Sequence, residues 1–334
     1  MKTIPLAVLG AGSWGTALAI LLARNGFGVR LWGHQPQFVA ELRKQRCNRR
    51  YLPGGVFPDT LQPEAQLEVA IGGARDVVLA VPSHAFRQVL AAARRVLSPG
   101  MAICWATKGL ETGSGKLLHQ VAREVLAPTT QTAVLSGPTF AREVAAGLPT
   151  AATVAAANPE IAQRFAGYLH GETFRAYTSS DVIGLELGGS TKNVLAIAAG
   201  ISDGLGFGCN ARAALITRGL AEMIRLGTTM GAQRETFDGL AGVGDLVLTC
   251  TDNQSRNRRF GLALGGGKTR QQAETEISQV IEGIDTAGEI FKLSRQHDIE
   301  MPITEQVYRV IYRNQSPRDA VHALLARDQK AEGQ

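Results

Sequence analysis

The sequence predicts an α/β chain in which a doubly wound, mostly parallel sheet is followed by an all-helical half. Two observations support this fold class. Short apolar runs alternate with amphipathic helical patterns through the first half, which is typical of parallel βαβ units. After about residue 180 the strand-like runs largely disappear and long helical patterns dominate. We therefore predict two domains, residues 1–180 and 181–334, and the 334 residues are ample for both.

The first βαβ unit carries a glycine-rich turn. Its predicted elements are a strand, a helix and a second strand, over residues 4–9, 16–24 and 28–32. The segment GAGSWG lies between the first strand and the helix. In this place Gly10 permits the tight turn, Gly12 lets the backbone approach a pyrophosphate, and Gly15 lets the helix pack on the strand. Because a helix start also offers free N–H groups to a phosphate, we predict a Rossmann domain that binds a dinucleotide.

The end of the second strand bears on the choice of cofactor. The acidic residue that would hold an adenosine 2′-hydroxyl is missing, and His34 stands there instead. A histidine tolerates a 2′-phosphate, and Arg46, Arg49 or Arg50 could pair with it. We therefore expect NADPH to be accepted, and its preference over NADH is a hypothesis.

The rest of the first half places a lysine at the ligand-binding edge of the sheet. Further strands are predicted over residues 76–81, 101–106, 132–135, 150–155 and 173–177, and helices over 82–93, 115–126 and 159–169. Lys108 comes just past the carboxyl end of the second of these strands, where doubly wound sheets bind ligands. It can reach a substrate oxygen there, and the alternative is an exposed loop lysine. Gly137-Pro138 predicts a sharp turn, after which Thr139 is expected to cap a helix.

The helical half begins with a lysine in apolar surroundings. Its predicted helices cover residues 181–200, 210–230, 271–280, 285–296, 303–313 and 317–327, and Ser180 or Asp181 can cap the first. Lys192 lies on that first helix, with Gly188 and Gly189 one turn before it on the same face. A tight helix crossing with a lysine that extends to water is one interpretation. The other, which we favour, is a catalytic lysine for which the glycines leave room for substrate or nicotinamide.

A second anion site is predicted further along. Residues 239–251 are glycine-rich and apolar, with Asp245 as their one charge. Ser255 can then cap a helix whose first turn contains Arg256 and Asn257. An arginine beside free N–H groups makes a competent phosphate site, and the alternative is a solvated helix start.

Composition excludes several classes of protein. Hydrophobic residues make up 45% and charged residues 19%, as in ordinary globular proteins. No membrane span or N-terminal leader is predicted, and the six histidines show no metal-ligand spacing. Four widely spaced cysteines without a CxxC pair indicate a reducing cytoplasm and buried thiols. The net charge of +6 suits a phosphorylated ligand, whereas nucleic-acid binding is disfavoured because aromatic residues are not interleaved with the basic clusters.

Seven motifs together carry a resemblance to a known family: GAGSWG, VPSH, ATKGL, SGPTFAREVAAGLPTA, LGGSTKNVLAIAAGISDGLGFGCNARAALITRGLAEM, GVGDLVLTCT and SRNRRFG. In this order, over residues 4–315, the chain resembles the bacterial NAD(P)-dependent sn-glycerol-3-phosphate dehydrogenases. The resemblance implies a Rossmann domain and a helical domain of the 6-phosphogluconate-dehydrogenase-like type. It also implies a cytoplasmic homodimer that interconverts dihydroxyacetone phosphate and sn-glycerol 3-phosphate for phospholipid synthesis.

The resemblance also assigns residues. NAD(H) or NADP(H) contacts would fall on Ser13, Trp14, His34, Arg50, Lys108, Ala141, Arg256, Val280 and Glu282, with Arg49 or Tyr51 as alternatives to Arg50. Substrate contacts would fall on Lys108, Gly137, Thr139, Lys192, Asp245, Ser255, Arg256 and Asn257. Lys192 resembles the family's proton donor and acceptor.

These assignments suggest a mechanism. A hydride from the nicotinamide reaches the carbonyl carbon, and Lys192 meets the charge that develops on the oxygen. Lys108 would polarise the same region and Asp245 would hold Lys192, although the sequence leaves the net direction of the lysine pKa open. Two alternatives remain: a related Rossmann and helical reductase of a carboxylate substrate, and a dinucleotide-binding regulator with a basic DNA-binding face.

Overall fold

The computed structural model describes residues 5–327. The strands are β1 (Leu6–Leu9), β2 (Val29–Trp32), β3 (Cys47–Asn48), β4 (Leu52–Val56), β5 (Leu61–Glu64), β6 (Val77–Leu79), β7 (Ala102–Trp105), β8 (Gln131–Ser136), β9 (Thr150–Ala155) and β10 (Phe174–Ser179). The helices of the first half are α1 (Ser13–Arg24), α2 (Pro36–Gln45), α3 (Leu67–Ile71), α4 (Ser83–Arg94), α5 (Leu118–Val125), α6 (Ala141–Ala146) and α7 (Pro159–Leu169). Those of the second half are α8 (Val182–Gly204), α9 (Gly208–Thr229), α10 (Arg234–Phe237), α11 (Asp245–Thr251), α12 (Arg256–Gly265), α13 (Arg270–Ile277), α14 (Glu282–Gln296), α15 (Pro302–Tyr312) and α16 (Pro317–Leu325), with a π-helical turn at Leu240–Gly244 before α11.

Eight of these strands form one sheet, in the order β10-β9-β8-β7-β6-β1-β2-β5. Every neighbouring pair is parallel except β8 and β9. Strand order runs outward in both directions from β1, so the carboxyl ends of β1 and β6 flank the point at which a doubly wound sheet binds its ligand. The predicted fold class, a mostly parallel Rossmann sheet followed by a helical half, is confirmed.

The glycine turn between β1 and α1 has the predicted form. Gly10 has a φ of +117°, and a Cβ there would lie 2.4 Å from the carbonyl oxygen of Ala80. A Cβ on Gly15 would lie 1.9 Å from the carbonyl oxygen of Gly10. Both positions therefore need glycine, which keeps the start of α1 close to the sheet.

Helix α8 forms the centre of the helical half. Asp181 caps it by accepting a hydrogen bond from the Gly184 N–H, as predicted, and almost all of its residues are buried. It crosses α12 closely enough for a Cβ on Gly200 to lie 2.1 Å from the carbonyl oxygen of Arg258. A Cβ on Gly261 would likewise lie 2.1 Å from the carbonyl oxygen of Ile197. Because backbone meets backbone along this crossing, the two helices fix each other's position closely.

The division at residue 180 stays a prediction, which the change of element type supports. Strand β10 ends at Ser179 and α8 begins at Val182. The apolar core under the helices is separate from the two clusters that cover the faces of the sheet. Two residues of the first half, Leu110 and Leu117, belong to the helical core, so the segment between β7 and α5 connects the two parts.

Several sequence predictions are corrected. The helix expected over 115–126 begins at Leu118, because residues 111–116 form a hydrogen-bonded turn. The β3–β4 hairpin, the edge strand β5 and α2 were not predicted, since this region has little apolar periodicity. Ile4, expected in the first strand, lies outside the described residues.

The expectation of buried thiols is wrong for Cys209, which is exposed in the first turn of α9, whereas Cys104 and Cys250 are buried. No helix within residues 5–327 has the length and apolar character needed to cross a membrane.

Candidate active site

Two lysines share one buried carboxylate between the sheet and the helical half. Lys192 Nζ lies 2.5 Å from Asp245 Oδ1, and Lys108 Nζ lies 2.6 Å from Asp245 Oδ2. Lys108 comes from the carboxyl end of β7, Lys192 from the middle of α8, and Asp245 from the first residue of α11. The predicted convergence of these three residues is therefore observed, and the alternative of an exposed loop lysine at position 108 is wrong.

Burial sets the protonation of Lys192. The side chain is 9% exposed, and Nζ also lies 2.8 Å from Thr249 Oγ1. Desolvation is the main cause that lowers the pKa of Lys192, to about 8, and the charge of Lys108 acts in the same direction. Asp245 opposes this shift but does not cancel it. A lysine with a pKa near neutrality can both give and take a proton.

Asp245 itself remains ionised. Its burial alone would raise the carboxyl pKa, but the charges and hydrogen bonds of Lys108 and Lys192 lower it below its usual value. The carboxylate is 1% exposed, and each of its oxygens accepts from one lysine. A fixed negative charge therefore holds the two ammonium groups side by side.

The two glycines before Lys192 make room for protein atoms. A Cβ on Gly188 would lie 2.3 Å from the carbonyl oxygen of Ala241 in the π-helical turn. A Cβ on Gly189 would lie 2.7 Å from Ser136 Oγ and 3.5 Å from Lys108 Cγ. Our expectation that they leave room for substrate or nicotinamide is wrong. Gly188 admits the turn that carries Asp245, and Gly189 admits the Ser136 hydroxyl, with the stem of Lys108 in van der Waals contact beside it.

The turn after β8 contacts Lys108. Gly137 has a φ of +144°, and its carbonyl oxygen accepts from Lys108 Nζ at 2.9 Å. The same oxygen accepts from Thr139 Oγ1 at 3.0 Å. The prediction that Thr139 caps a helix is wrong, because its hydroxyl is engaged with Gly137 and α6 begins only at Ala141, after Phe140.

The predicted phosphate turn begins α12. Ser255 Oγ accepts from the Arg258 N–H, which confirms it as the cap. The guanidinium of Arg256 donates to the Val280 carbonyl oxygen at 2.8 Å. Both ends of the Asn257 amide are engaged, with Asn193 Oδ1 and with the Gly283 N–H. Within the described residues the N–H groups of Arg256 and Asn257 have no backbone or side-chain partner, so they are available to an anion.

The dinucleotide end of the site fits a pyrophosphate. A Cβ on Gly12 would meet nothing within 4 Å, so the approach to the backbone there is open. Helix α1 has no side-chain cap, which leaves the N–H groups of Ser13 and Trp14 available to a phosphate. The Trp14 indole nitrogen is buried and lacks a hydrogen-bond partner within residues 5–327. These are features of a cradle that a bound dinucleotide would complete.

The other predicted cofactor residues fall into two groups. Glu282, the first residue of α14, accepts from Ser83 Oγ at 2.7 Å and lies close enough to Arg256 for their charges to interact, with Val280 beside it. His34 and Arg50 are exposed, and the Arg50 guanidinium lies 5.0 Å from the ring centre of Tyr51. Arg46 is not available to a 2′-phosphate, because its guanidinium donates to the carbonyl oxygens of Pro58 and Leu61.

Sequence reasoning missed Thr249 and Ser83. Thr249 lies one helical turn after Asp245, and this spacing alone could have placed it on the same face of α11. Ser83 gave no comparable signal, because its partner Glu282 is 199 residues away. Among residues 5–327 there is no group of three or more histidine, cysteine or acidic side chains that could hold a metal ion.

The fold and the site define a class of protein. A Rossmann sheet with an open glycine turn, facing a buried lysine on a helical half, is the arrangement of an NAD(P)-dependent dehydrogenase. Two family models match the chain, the N-terminal part of NAD-dependent glycerol-3-phosphate dehydrogenase over residues 5–162 and its C-terminal part over 181–322. The chain belongs to this family.

Relatives that match the chain over nearly its full length are named after the same enzyme as the family. Proteins named glycerol-3-phosphate dehydrogenase (NAD(P)+) from Aeromonas hydrophila and Tolumonas auensis are 57% and 55% identical over 98% and 99% of this chain and 99% of each relative. A crystal structure of glycerol-3-phosphate dehydrogenase from Coxiella burnetii, 49% identical, covers 98% of this chain and 100% of its own with a TM-score of 0.94. This chain is therefore an oxidoreductase that interconverts dihydroxyacetone phosphate and sn-glycerol 3-phosphate with NAD(P)(H). A ketopantoate reductase from Ralstonia eutropha, 15% identical with a TM-score of 0.59, shares the fold alone.

Proposed function

We propose that Lys192 is the acid that protonates the carbonyl oxygen of dihydroxyacetone phosphate, and the base in the reverse direction. The observation that carries this proposal is the position of the Lys192 ammonium group, which is buried and donates to Asp245 and Thr249. Burial lowers the pKa of this lysine to about 8. Such a group is largely protonated at neutral pH yet releases its proton at moderate cost. Asp245 and Thr249 each accept one N–H bond of the ammonium group, and the third N–H bond would serve the substrate oxygen.

Lys108 has a separate role. Its Nζ points to the same carboxylate from the sheet side and also donates to the Gly137 carbonyl oxygen. A second positive charge at this place stabilises the oxygen as it becomes negative and orients the substrate, with Gly137 and Thr139 in the wall beside it. The nicotinamide cofactor, when bound, supplies the hydride.

We propose that the start of α12 binds the substrate phosphate. The free N–H groups of Arg256 and Asn257 lie in the first turn of α12, which Ser255 caps. The Arg256 guanidinium, whose Nη1 donates to the Val280 carbonyl oxygen, adds its positive charge beside them. Asn257 also bonds to Asn193, the neighbour of Lys192, so the phosphate end and the reacting end are connected. Phosphate binding at one end then orients the small ketone at the other.

The cofactor would lie along the glycine turn. Gly10, Gly12, Ser13, Trp14 and Gly15 would hold the pyrophosphate region, while Lys108, Ala141, Arg256, Val280 and Glu282 would line the nicotinamide side. His34 and Arg50, or Arg49 in its place, would contact the adenosine end and its 2′-phosphate, because both arginines are exposed there. A kcat/KM for NADH that exceeds that for NADPH tenfold would contradict the preference for NADPH.

The cellular role and the oligomeric state of the chain are also proposed from its resemblance to the family. We propose that the chain acts as a cytoplasmic homodimer and supplies sn-glycerol 3-phosphate for phospholipid synthesis, as the sequence resemblance implies. The four cysteines are free thiols in the part of the chain that the structure describes, which supports a reducing compartment. Sedimentation analysis of the purified chain tests the dimer, and a monomer would contradict it.

One experiment tests the reaction. Oxidation of NADPH is followed with dihydroxyacetone phosphate and, in parallel, with a 2-oxo carboxylate of similar size. We expect turnover with the phosphorylated ketone only. Turnover with the carboxylate alone would favour the related reductases instead.

A further inference from the structure

Three arginines follow Ser255 closely, and the structure gives them different places. Arg256 lies at the start of α12 beside Val280, and Arg259 is exposed. Arg258 turns away from the phosphate turn into the protein and is 7% exposed. A buried guanidinium in a phosphate-binding motif therefore has a function other than direct contact with the phosphate.

The guanidinium of Arg258 connects three segments. Its Nε donates to the Cys250 carbonyl oxygen at 2.9 Å, in the last turn of α11. Nη1 donates to Asn253 Oδ1 in the turn before α12. Nη2 forms an ion pair with Asp203 Oδ2 near the end of α8. The planar guanidinium group of an arginine can donate to all three acceptors at once. The single ammonium group of a lysine cannot reproduce this arrangement.

Each connected segment carries a group of the proposed site. Helix α11 carries Asp245, the turn leads into the phosphate-binding N–H groups, and α8 carries Lys192. The backbone of Arg258 is also fixed, because a Cβ on Gly200 of α8 would lie 2.1 Å from its carbonyl oxygen. Arg258 thus fixes the phosphate end of the site relative to the proton-transfer end.

We propose that Arg258 is a positioning residue that sets the spacing between the phosphate turn and the Lys192–Asp245 pair. The substrate has only three carbons, so its carbonyl oxygen reaches Lys192 correctly only when its phosphate is held at the matching distance. A displacement of about 1 Å between groups of this kind can reduce a rate roughly a hundredfold. This inference rests on the proposed phosphate site at Arg256 and Asn257.

Arg258→Lys is the test variant, because it keeps the charge and most of the side-chain volume. Arg259→Lys is the matched control, the same change at the exposed neighbour. Steady-state rates are measured for dihydroxyacetone phosphate and for dihydroxyacetone, which lacks the phosphate and so does not use the turn. Thermal unfolding of each variant is recorded alongside.

We expect Arg258→Lys to lower kcat/KM for dihydroxyacetone phosphate about tenfold or more, with changes in both kcat and KM, and to lower it for dihydroxyacetone less than about threefold. Arg259→Lys should leave both values within about twofold. Asp203→Asn removes the carboxylate charge that Arg258 shares with Arg212. It should change the ratio of the two kcat/KM values in the same direction as Arg258→Lys.

Other results would overturn the inference. Arg258 would be a merely structural residue if Arg258→Lys lowered kcat/KM equally for both substrates. The same holds if the variant lowered the unfolding temperature while the ratio of the two kcat/KM values stayed unchanged. Failure of Arg258→Lys to fold would lead to the same conclusion. Failure of the phosphate site itself is distinguished by Arg256→Ala: an unchanged KM for dihydroxyacetone phosphate there refutes the site, whereas a raised KM with no effect of Arg258→Lys refutes only the positioning role.

Discussion

Replacing Asp245 by asparagine removes the charge between the two lysines while it preserves the shape of the side chain. Lys192 then keeps its burial and the repulsion from Lys108 but loses the carboxylate at 2.5 Å. A hydrogen bond to a charged group contributes about 1.5–3 kcal/mol. Since one pKa unit corresponds to about 1.4 kcal/mol, the pKa of Lys192 should fall from about 8 by roughly one to two units.

The sign of the effect on activity follows from the role of the lysine. Reduction of the ketone needs protonated Lys192, so its rate falls as the pH rises through the lysine pKa. At pH 7 roughly nine-tenths of the lysine is protonated when its pKa is about 8, but only about a tenth to a half when its pKa is about 6 to 7. The variant should therefore lose about two- to tenfold in reduction at pH 7 from protonation alone.

The assay is kcat/KM for NADPH oxidation with dihydroxyacetone phosphate, measured across the neutral range, because this ratio reports groups of the free enzyme. Asp252→Asn is the matched control: its carboxylate accepts from the Gln254 N–H and contacts neither lysine. In a plot of kcat/KM against pH, we expect the fall at high pH to move to lower pH in Asp245→Asn and to stay in place in Asp252→Asn. If the rate of folded Asp245→Asn still falls only near pH 8, Asp245 does not maintain the pKa of Lys192.

The remaining predictions concern binding and packing. Arg256→Ala should chiefly raise KM for dihydroxyacetone phosphate, and an unchanged KM would move the phosphate site elsewhere. Thr249→Val removes one hydrogen bond to Lys192 and should lower kcat about three- to tenfold, which steady-state kinetics would show. Gly188→Ala should destabilise the fold by about 1–3 kcal/mol in urea unfolding, because its Cβ would meet the Ala241 carbonyl oxygen. A Cβ on Gly12 would meet no protein atom, so Gly12→Ala should leave the free energy of unfolding almost unchanged but raise KM for NADPH, because the new methyl group occupies the approach to the backbone. A destabilised Gly12→Ala protein with an unchanged KM would contradict the role of Gly12 in cofactor binding.

Local patterns made much of the fold predictable. The alternation of apolar runs with amphipathic helices identified the Rossmann sheet, and the glycine spacing at Gly10 and Gly15 anticipated close backbone contacts that the structure contains. Caps at Asp181 and Ser255 were also predictable, because an Asp or Ser before a helical pattern satisfies the free N–H groups locally. The β3–β4 hairpin was missed because its residues lack a regular apolar period.

The site was predictable in its residues but less so in its contacts. Lys108, Lys192 and Asp245 each stood out as a charge in apolar surroundings or at a strand end, yet nothing local states that the two lysines share both oxygens of one carboxylate. The roles of Gly188 and Gly189 were misjudged for a related reason. Glycine indicates close approach but not its partner, which is the Ala241 carbonyl oxygen at Gly188 and the Ser136 hydroxyl at Gly189.

Burial separates residues that the sequence presents as alike. Arg256, Arg258 and Arg259 form one basic run in the sequence, but only tertiary contacts distinguish the residue beside the phosphate turn from the buried and the exposed ones. Arg46 is a similar case, because carbonyl oxygens distant in sequence engage its guanidinium.

The proposed reaction depends above all on proton transfer by Lys192. The most direct measurement compares NADPH oxidation with dihydroxyacetone phosphate in the wild type and in Lys192→Ala, with circular dichroism to confirm that the variant is folded. We expect a kcat lower by roughly a hundredfold or more in a folded variant that still binds NADPH. Near-normal turnover by folded Lys192→Ala would contradict it.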